Sequence, residues 1–403
     1  MRQPLAGIRV LELGMFHAGP GGSAILGDLG AEVIKIEQPD GGDPVRNLKQ
    51  VSHVMLEIPG GGSIWYEAAN RSKKSVTIDL RQAKGREALY RLVEKSDVFI
   101  TSLRGPAIER MNLSYPVLAK INPKLIYAHI SSFGKKGPDR NLGGFDYQGQ
   151  GRSGLMYSVG EPEMTPLVSQ FGIVDQSTSI MLSHAILTAL FERERSGIGQ
   201  EVHVSILGTA LFMHYINALI ALIGNFDVPR HNRATEDPLR NYYKCADEKW
   251  LIMTMPPLEK YWPMLCRAIE HAELENDAKF DTFEKRLANS AELVALLDRI
   301  FATRPREEWC QILAQHDLPY APVHRPTELK DDPQILENDY IVDFNHPRLG
   351  KIKIPGYPVQ FSENWAGTTT CAPLLGEHTE SVLAEIGGYS HQEIAELRAE
   401  GVI

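Results

Sequence analysis

The chain has 403 residues, of which 43% are hydrophobic and 23% charged, and its formal net charge is −9. A single core stops growing near ~250–300 residues, so more than one domain is expected. The acidic balance excludes nucleic acid as a general partner and leaves any anionic ligand to a local basic pocket.

Four cysteines, Cys245, Cys266, Cys310 and Cys371, stand far apart without a C-x-x-C. They predict reduced thiols in a cytoplasmic protein rather than disulfides or a zinc site. The histidines lack metal-ligand spacing, so no metal is expected. The N-terminus MRQPLAGIRV enters a strand without a signal-peptide core.

Strand-like and helix-like runs alternate through the first part of the chain. Residues 8–13 (IRVLEL) read as a strand. Residues 19–24 (GPGGSA) formally match G-x-G-x-x-A, and a helix follows with Ile25, Leu26 and Leu29 on one side. Residues 32–37 (EVIKIE) form a second strand that ends on an acid. This order is the dinucleotide fingerprint, with the glycines cradling phosphate at a helix start and Glu37 on a ribose. Two details depart from it: the glycines begin five residues after the strand, and Pro20 sits inside the motif. A tight strand-to-helix turn is the plainer reading.

Further strands are predicted at 75–80, 97–102 and 124–131. Between the first two, residues 82–96 place Ala88, Leu89, Leu92 and Val93 at helical spacing. The β-α-β-α order predicts an α/β fold, a mostly parallel sheet with helices on its faces. Arg71, Lys73, Lys74, Arg81, Arg104, Arg110, Lys135 and Lys136 fall near predicted strand ends, where open sheets bind ligands. Convergence of several would suit a polyphosphate; singly, each reads as solvated charge.

The region from 174 to 197 is helical, with Ile180, Leu187 and Phe191 on a broad apolar face beside Met181, Ala185 and Thr188. Asp175 opens this helix and suits both an N-cap and a carboxylate nucleophile, because a helix start stabilises the ionised form. One more strand follows at 201–207. Residues 206–224 are apolar enough to raise the question of a membrane span. Thr209, His214 and Asn217 interrupt them, so one buried helix in a soluble protein is expected. Residues 226–241 are polar and rich in turn formers, a linker or boundary loop. A hairpin turning near Asp247-Glu248, helices across 258–316, strands within 346–362 and a last helix at 390–401 complete the chain.

Taken in order, several blocks resemble the class III CoA-transferases, the family of formyl-CoA:oxalate and carnitine CoA-transferases that also contains α-methylacyl-CoA racemase. They are PLAGIRVLELG…AGP…LGDLGAEVIKIEQPDGGDPVR, NRSKKSVTIDLRQAKGREAL, NPKLIYAHISSFGKKGP, LFERERSGIGQEVHVSIL, HPRLGKIKIPGYPVQFS and APLLGEHTESVLAEIG. The likeness spans essentially the whole chain. It implies a Rossmann-like large domain (1–225), a smaller α+β domain (226–335) and a C-terminal segment (336–403) that returns to the large one, in an interlocked homodimer. It further implies transfer of CoA between an acyl-CoA and a small carboxylic acid through a covalent aspartyl intermediate. Coenzyme A then enters as substrate, with no tightly bound cofactor, metal, nucleic acid or membrane partner.

Residue by residue, the resemblance places the family's catalytic aspartate on Asp175, with His17 beside the reacting carbonyl. Its CoA-contacting positions fall on His17, Ala18, Gln38, Ile78, Asp79, Leu80, Arg81, Ser102, Leu103, Arg104 and Arg110. Gln38 stands where relatives are often basic, and His17 replaces a glutamine of the formyl-CoA enzymes. Their glycine-rich loop before residue 242 is missing, since RATEDPLRN holds no glycine. R-G-P-A (104–107) and NYYKCADEKWLIM sit closer to the carnitine-type branch. Racemases of the family carry G-H-D; here residues 144–146 are G-F-D. Phe145 cannot exchange a proton, which favours transfer over racemisation. An NAD(P)-dependent oxidoreductase built on residues 19–24 is the alternative from another class, and a non-catalytic CoA-binding protein is a third.

Overall fold

Six runs rich in β-branched residues pair into one wholly parallel sheet in a computed structural model that describes residues 2–256 and 258–403. They are β1 (Arg9–Leu13), β2 (Glu32–Glu37), β3 (Lys73–Thr77), β4 (Val98–Thr101), β5 (Ile126–Ser131) and β6 (Gln200–Ser205). Their spatial order is β3-β2-β1-β4-β5-β6. The order reverses between β1 and β4, and a crevice opens there beyond the carboxyl ends of the strands.

The helices of this region are α1 (Ala18–Asp28), α2 (Ile64–Asn70), α3 (Ala83–Glu94), α4 (Gly105–Arg110), α5 (Tyr115–Ile121), α6 (Asp146–Ser153), α7 (Ile173–Ser196), α8 (Ile206–Met213) and α9 (Tyr215–Gly224). The period-two alternation of each strand sorts its side chains between two cores. Leu11, Ile34 and Phe99 face α3 and the C-terminal helices Thr379–Glu385 and His391–Ala399. Val10, Val33 and Val98 face α1 and α7. Ala88, Leu89, Leu92 and Val93 of α3 are fully buried, as their spacing predicts. The C-terminal segment is bonded to the edge of the sheet: the Asp79 N–H donates to Val402 O at 2.7 Å and the Thr77 N–H to Thr379 Oγ1 at 3.0 Å.

By contacts, the chain divides into two units. The larger takes the chain up to Met156, with Val168–Phe226 and Glu337–Ile403; the smaller takes Tyr157–Leu167 and Asp227–Leu336. The grouping of 157–167 with the smaller unit has no counterpart in the sequence reading. In the smaller unit, β7 (Arg240–Lys244), β8 (Trp250–Thr254) and β9 (Tyr320–Val323) form an antiparallel sheet in the order β9-β8-β7. Its core holds Trp262, Tyr243, Phe301 and Trp309.

Three local expectations are corrected. Gly19, Gly21 and Gly22 lie inside α1, fully buried and without positive φ, so they form no phosphate loop. Their role is close packing: a Cβ at Gly21 would stand 2.4 Å from Ser179 Oγ, and one at Gly22 2.5 Å from Leu182 Cδ2. That approach selects which side of α7 is covered. Thr178, Leu182, Ile186 and Ala189 are buried, whereas Ile180 and Phe191, placed on the buried face by their spacing, are 53% and 61% exposed. Finally, residues 206–224 form not one buried helix but α8 and α9, bent by 79° at His214, with no residue of α9 buried. Among the described residues no single helix is long and apolar enough to cross a membrane.

Gly22→Ala tests the helix contact. Alanine raises helix propensity by up to ~1 kcal/mol, but overpacking costs about 1–3 kcal/mol. Because Leu182 Cβ and Cγ also stand within 3.1 Å, the clash outweighs the gain. Urea unfolding of the variant should show a net loss of stability; a gain would mean that the helices separate freely.

Candidate active site

Beneath the turn joining β1 to α1 lies a set of charges without access to water. Glu12, in β1, accepts from Lys35 Nζ at 3.0 Å and Lys73 Nζ at 2.9 Å, and all three side chains are fully buried. Lys35 also donates to Gly14 O at 2.9 Å and pairs with Asp43 at 3.0 Å. Lys73 also donates to Pro20 O at 2.8 Å. From the turn, the Gly14 N–H donates to Glu12 at 3.0 Å and the Phe16 N–H to Asp43 at 3.3 Å. The turn is thus tied down at both ends.

The electrostatics of the set follow from burial and pairing. Burial pushes Glu12 up, but Lys35 and Lys73 outweigh it and leave the carboxyl lowered. Burial pulls Lys73 down to about 8; Glu12 offsets part of this and Lys35 adds to it. For Lys35, burial is outweighed by Glu12 and Asp43 together, and the ammonium is raised.

Above the turn, a cavity of about 260 Å³ opens at the carboxyl ends of β1, β2, β3 and β4. Gly14, Met15, Gln38, Leu103 and residues 78–81 are in its wall. Of the positions that the resemblance assigns to CoA, the structure therefore brings Gln38, Ile78, Asp79, Leu80, Arg81 and Leu103 together. Arg81 donates to Asp79 at 2.8 Å and 3.0 Å, while its side chain stays 76% exposed. Hydrogen bonds from Arg81 hold the Asp79 carboxyl well below its usual range. Ala18, Ser102, Arg104 and Arg110 are not in this wall. Ala18 O accepts from Ser179, Ser102 Oγ accepts from the Met15 N–H at 3.2 Å, and Arg104 and Arg110 lie exposed at the two ends of α4.

His17 follows directly, at the start of α1. Its Nε2–H donates to Gln176 Oε1 at 2.8 Å, and burial holds the imidazole below its usual pKa, so it is neutral at pH 7. Beside Gln176, Asp175 is the third residue of α7. The helix begins at Gly172, in a left-handed conformation with φ +71° and no side chain to cap it. The free N–H groups of Val174 and Asp175 donate instead to Asp146 Oδ2, at 2.7 Å and 2.9 Å. The reading of Asp175 as the cap is corrected: Asp146 does that work. Asp175 is only 7% exposed, and among the described residues its carboxyl accepts no hydrogen bond. Burial first, and then the charge of Asp146, push it up to about 7. The low pKa expected for a nucleophile at a helix start is not found.

Aromatic rings stand around the pair. Trp65 meets His17 edge-on at 6.3 Å and Phe171 at 6.3 Å, and Phe16 meets Phe145 at 5.1 Å. Phe16 and Phe171 both hold positive φ, +64° and +55°, a strained backbone for an aromatic residue. One flanks His17 and the other Gly172, so the strain sits on either side of His17 and the start of α7. Phe145 is exposed and carries no group that transfers a proton.

The oxidoreductase reading does not survive this geometry. Besides the buried glycines, Glu37 is occupied by Arg46, which donates to it at 2.8 Å and 2.6 Å, and by Ser75 at 2.7 Å. Of the eight basic residues near strand ends, Arg81 is the one in the crevice wall. Lys73 serves Glu12, Arg71 pairs with Asp28, Lys74 with Glu32 and Lys135 with Glu201. Among the described residues no group of three or more His, Cys, Asp or Glu could hold a metal ion. Sequence reasoning missed Gln176, Trp65 and the capping role of Asp146. Gln176 adjoins Asp175 and was open to notice; the other two act on partners dozens of residues away.

Comparison with known proteins identifies relatives along the whole chain. The model described as CoA-transferase family III matches residues 5–379. An acyl-CoA transferase of Fusarium pseudograminearum is 32% identical over 99% of this chain and 88% of its own length. A mouse succinyl-CoA:glutarate CoA-transferase is 30% identical over 100% of this chain and 90% of its own. The crystal structure of a CAIB/BAIF family protein from Brucella suis superposes with a TM-score of 0.85 at 29% identity, covering 96% of this chain and 100% of that one.

The charge set under the turn has a measurable consequence. Glu12→Gln leaves the buried Lys73 ammonium without a counter-charge and Lys35 with Asp43 alone, and should lower unfolding stability by about 3–5 kcal/mol. Urea denaturation checks this, and a loss under ~1 kcal/mol, the range of an exposed pair, would contradict the arrangement.

Proposed function

The chain belongs to CoA-transferase family III, enzymes that move CoA between an acyl-CoA thioester and a free carboxylic acid, and from this we propose that Asp175 is the covalent nucleophile. The observation that carries the reading is the Asp175 carboxyl itself: buried, without a hydrogen-bond donor, and adjacent to the His17–Gln176 pair. A carboxylate so little stabilised is a stronger base, and therefore a stronger nucleophile, than one held by a cap.

The reaction balances without ATP, metal or redox partner. An oxygen of ionised Asp175 attacks the thioester carbonyl; the C–S bond breaks and CoA leaves as its thiolate, giving a mixed anhydride. The thiolate then attacks the Asp175 acyl carbon, forming an aspartyl-CoA thioester and releasing the donor acid. The acceptor carboxylate attacks this thioester, and the steps run in reverse to give the new acyl-CoA. Each intermediate keeps an activated acyl bond. Neutral His17, with its Nε2–H engaged by Gln176 Oε1, fixes the Gln176 amide beside Asp175. The NH2 group of that amide is the donor we assign to the developing oxyanion. Gln38, residues 78–81 and Leu103 would hold CoA in the crevice, leaving its thioester end at the Met15–His17 side. Ala18 and Ser102 then brace the turn between β1 and α1, and the exposed Arg104 and Arg110 are left for phosphate. Proton exchange at an α-carbon lacks a second base at Phe145. The acid pair, carnitine-like or otherwise, is to be set by a panel of acceptors.

The working form is proposed to be an interlocked homodimer. Ile216, Leu222 and Ile223 of α9 are 73%, 82% and 78% exposed, a continuous apolar surface of the kind that monomers rarely leave open. Three buried and one half-buried free cysteine support a reducing, cytoplasmic setting.

Asp175→Ala should lower kcat/KM for acyl exchange at least about a thousand-fold, and retained exchange would overturn the assignment. In the wild type the carboxyl must lose its proton to attack, so kcat/KM should rise with pH through about 7. Leu222→Glu should convert a dimer to a monomer in sedimentation equilibrium; a wild-type monomer would contradict the dimer.

A further inference from the structure

The start of α7 has an arrangement that the nucleophile alone does not explain. At a helix start, free N–H groups and the aligned peptide dipoles favour an anion, and an acidic residue in the first turn normally gains from them. Asp175 stands in that first turn, yet its carboxyl takes no part. Position 172 is a glycine, and the two N–H groups that a capping side chain there would take are both bonded to Asp146, 28 residues earlier. Asp146 is 5% exposed, so its charge acts through little solvent. It is itself held: Gln150 Nε2 donates to its other oxygen. Gln150 also donates to Ser169 O at 2.9 Å and accepts from the Ser169 N–H at 2.9 Å. One carboxylate and one amide therefore fix both the approach to α7 and its first turn.

We infer that Asp146 is a positioning residue for Asp175: it takes the helix-start N–H groups with its own charge, so that the Asp175 carboxylate is left free and unstabilised. This rests on Asp175 being the nucleophile and adds what keeps it reactive. A catalytic carboxylate at a helix start faces a conflict, because the same N–H groups that stabilise its ionised form lower its basicity. Supplying the cap from another element removes that conflict. It also opposes ionisation by placing a like charge close by.

Among the described residues, no other charged group on the surrounding elements adds to what burial does. From α1, His17 is neutral; behind it, Lys73 is committed to Glu12 and Arg71 to Asp28. Glu67 of α2 is paired with Arg348. Residues 206–213 of α8 and 169–172 carry no titratable side chain, and His214 at the end of α8 lies beside Gly154, at the far end of α6. The acidic residue directed at the first turn of α7 is Asp146.

The test reads the carboxyl directly. In full-length protein with 13C-labelled aspartate carboxyl groups, the Asp175 resonance is assigned by its loss in Asp175→Asn and followed against pH. Its midpoint should lie near 7 in the wild type. In Asp146→Asn, whose amide oxygen still accepts from both N–H groups, it should fall by about one pH unit or more. Asp146→Ser, neutral and able to accept through its hydroxyl, gives the same reading should the asparagine variant not fold. In Asp146→Glu, which keeps the charge, the midpoint should stay high. An unchanged midpoint in a folded neutral variant overturns the inference. The acid limb of kcat/KM should move with the resonance. If the resonance moves and the kinetics do not, Asp146 still governs the Asp175 carboxyl, and it is the nucleophile assignment that fails.

Discussion

Two lysines and one glutamate, buried together below a turn, set the geometry on which the site depends. Glu12, Lys35 and Lys73 have no water to solvate them, so each must be satisfied by its neighbours, and the neighbours include the backbone of the turn itself. Such a cluster adds little net stability over an apolar core of the same shape, but losing one partner is costly. What it provides here is position. Gly14 and Pro20 are bonded to it directly, and between them Met15 enters the crevice wall while His17 reaches Gln176. A turn held only by its own backbone would not place these two side chains on opposite errands so reproducibly.

The glycines of α1 serve the same end by a different route. They let α1 lie against α7 closely enough for Ser179 to bond both Ala18 O and Asp175 O, at 3.0 Å each. The start of α7 is thereby referenced to the turn beyond β1, and Asp175 to His17. Asp146 completes the arrangement from α6. Three elements far apart in the chain thus hold one carboxyl in place without bonding its oxygens. That absence of partners is what leaves the proposed nucleophile weakly stabilised and able to attack a thioester.

Much of the scaffold was legible in the sequence, because it is written in local patterns. The strand at 32–37 coincides with β2, and the apolar face of α3 is buried as its spacing says. Period and turn chemistry carry that information. What failed to read were features decided by distant partners. GPGGSA looked like a loop because nothing local shows that Ser179 and Leu182 press against it. The covered side of α7 was misjudged because the helix is apolar on more than one side, and packing against α1 makes the choice. Residues 206–224 read as buried because their composition is that of a core, although α9 leaves its apolar side chains open. At the site, Asp175 was found through the resemblance and His17 with it. Their electrostatics were not legible: the raised carboxyl depends on burial and then on Asp146, whose link to α7 spans 28 residues.

The central claim is that Asp175 becomes covalently acylated during turnover. Incubation of the wild-type chain with an acyl-CoA and hydroxylamine, followed by peptide mass spectrometry, tests it most directly. The account predicts conversion to the hydroxamate at Asp175 alone, dependent on the acyl-CoA. Unmodified Asp175 in an enzyme that still exchanges CoA, or the modification on a different carboxyl, would contradict it.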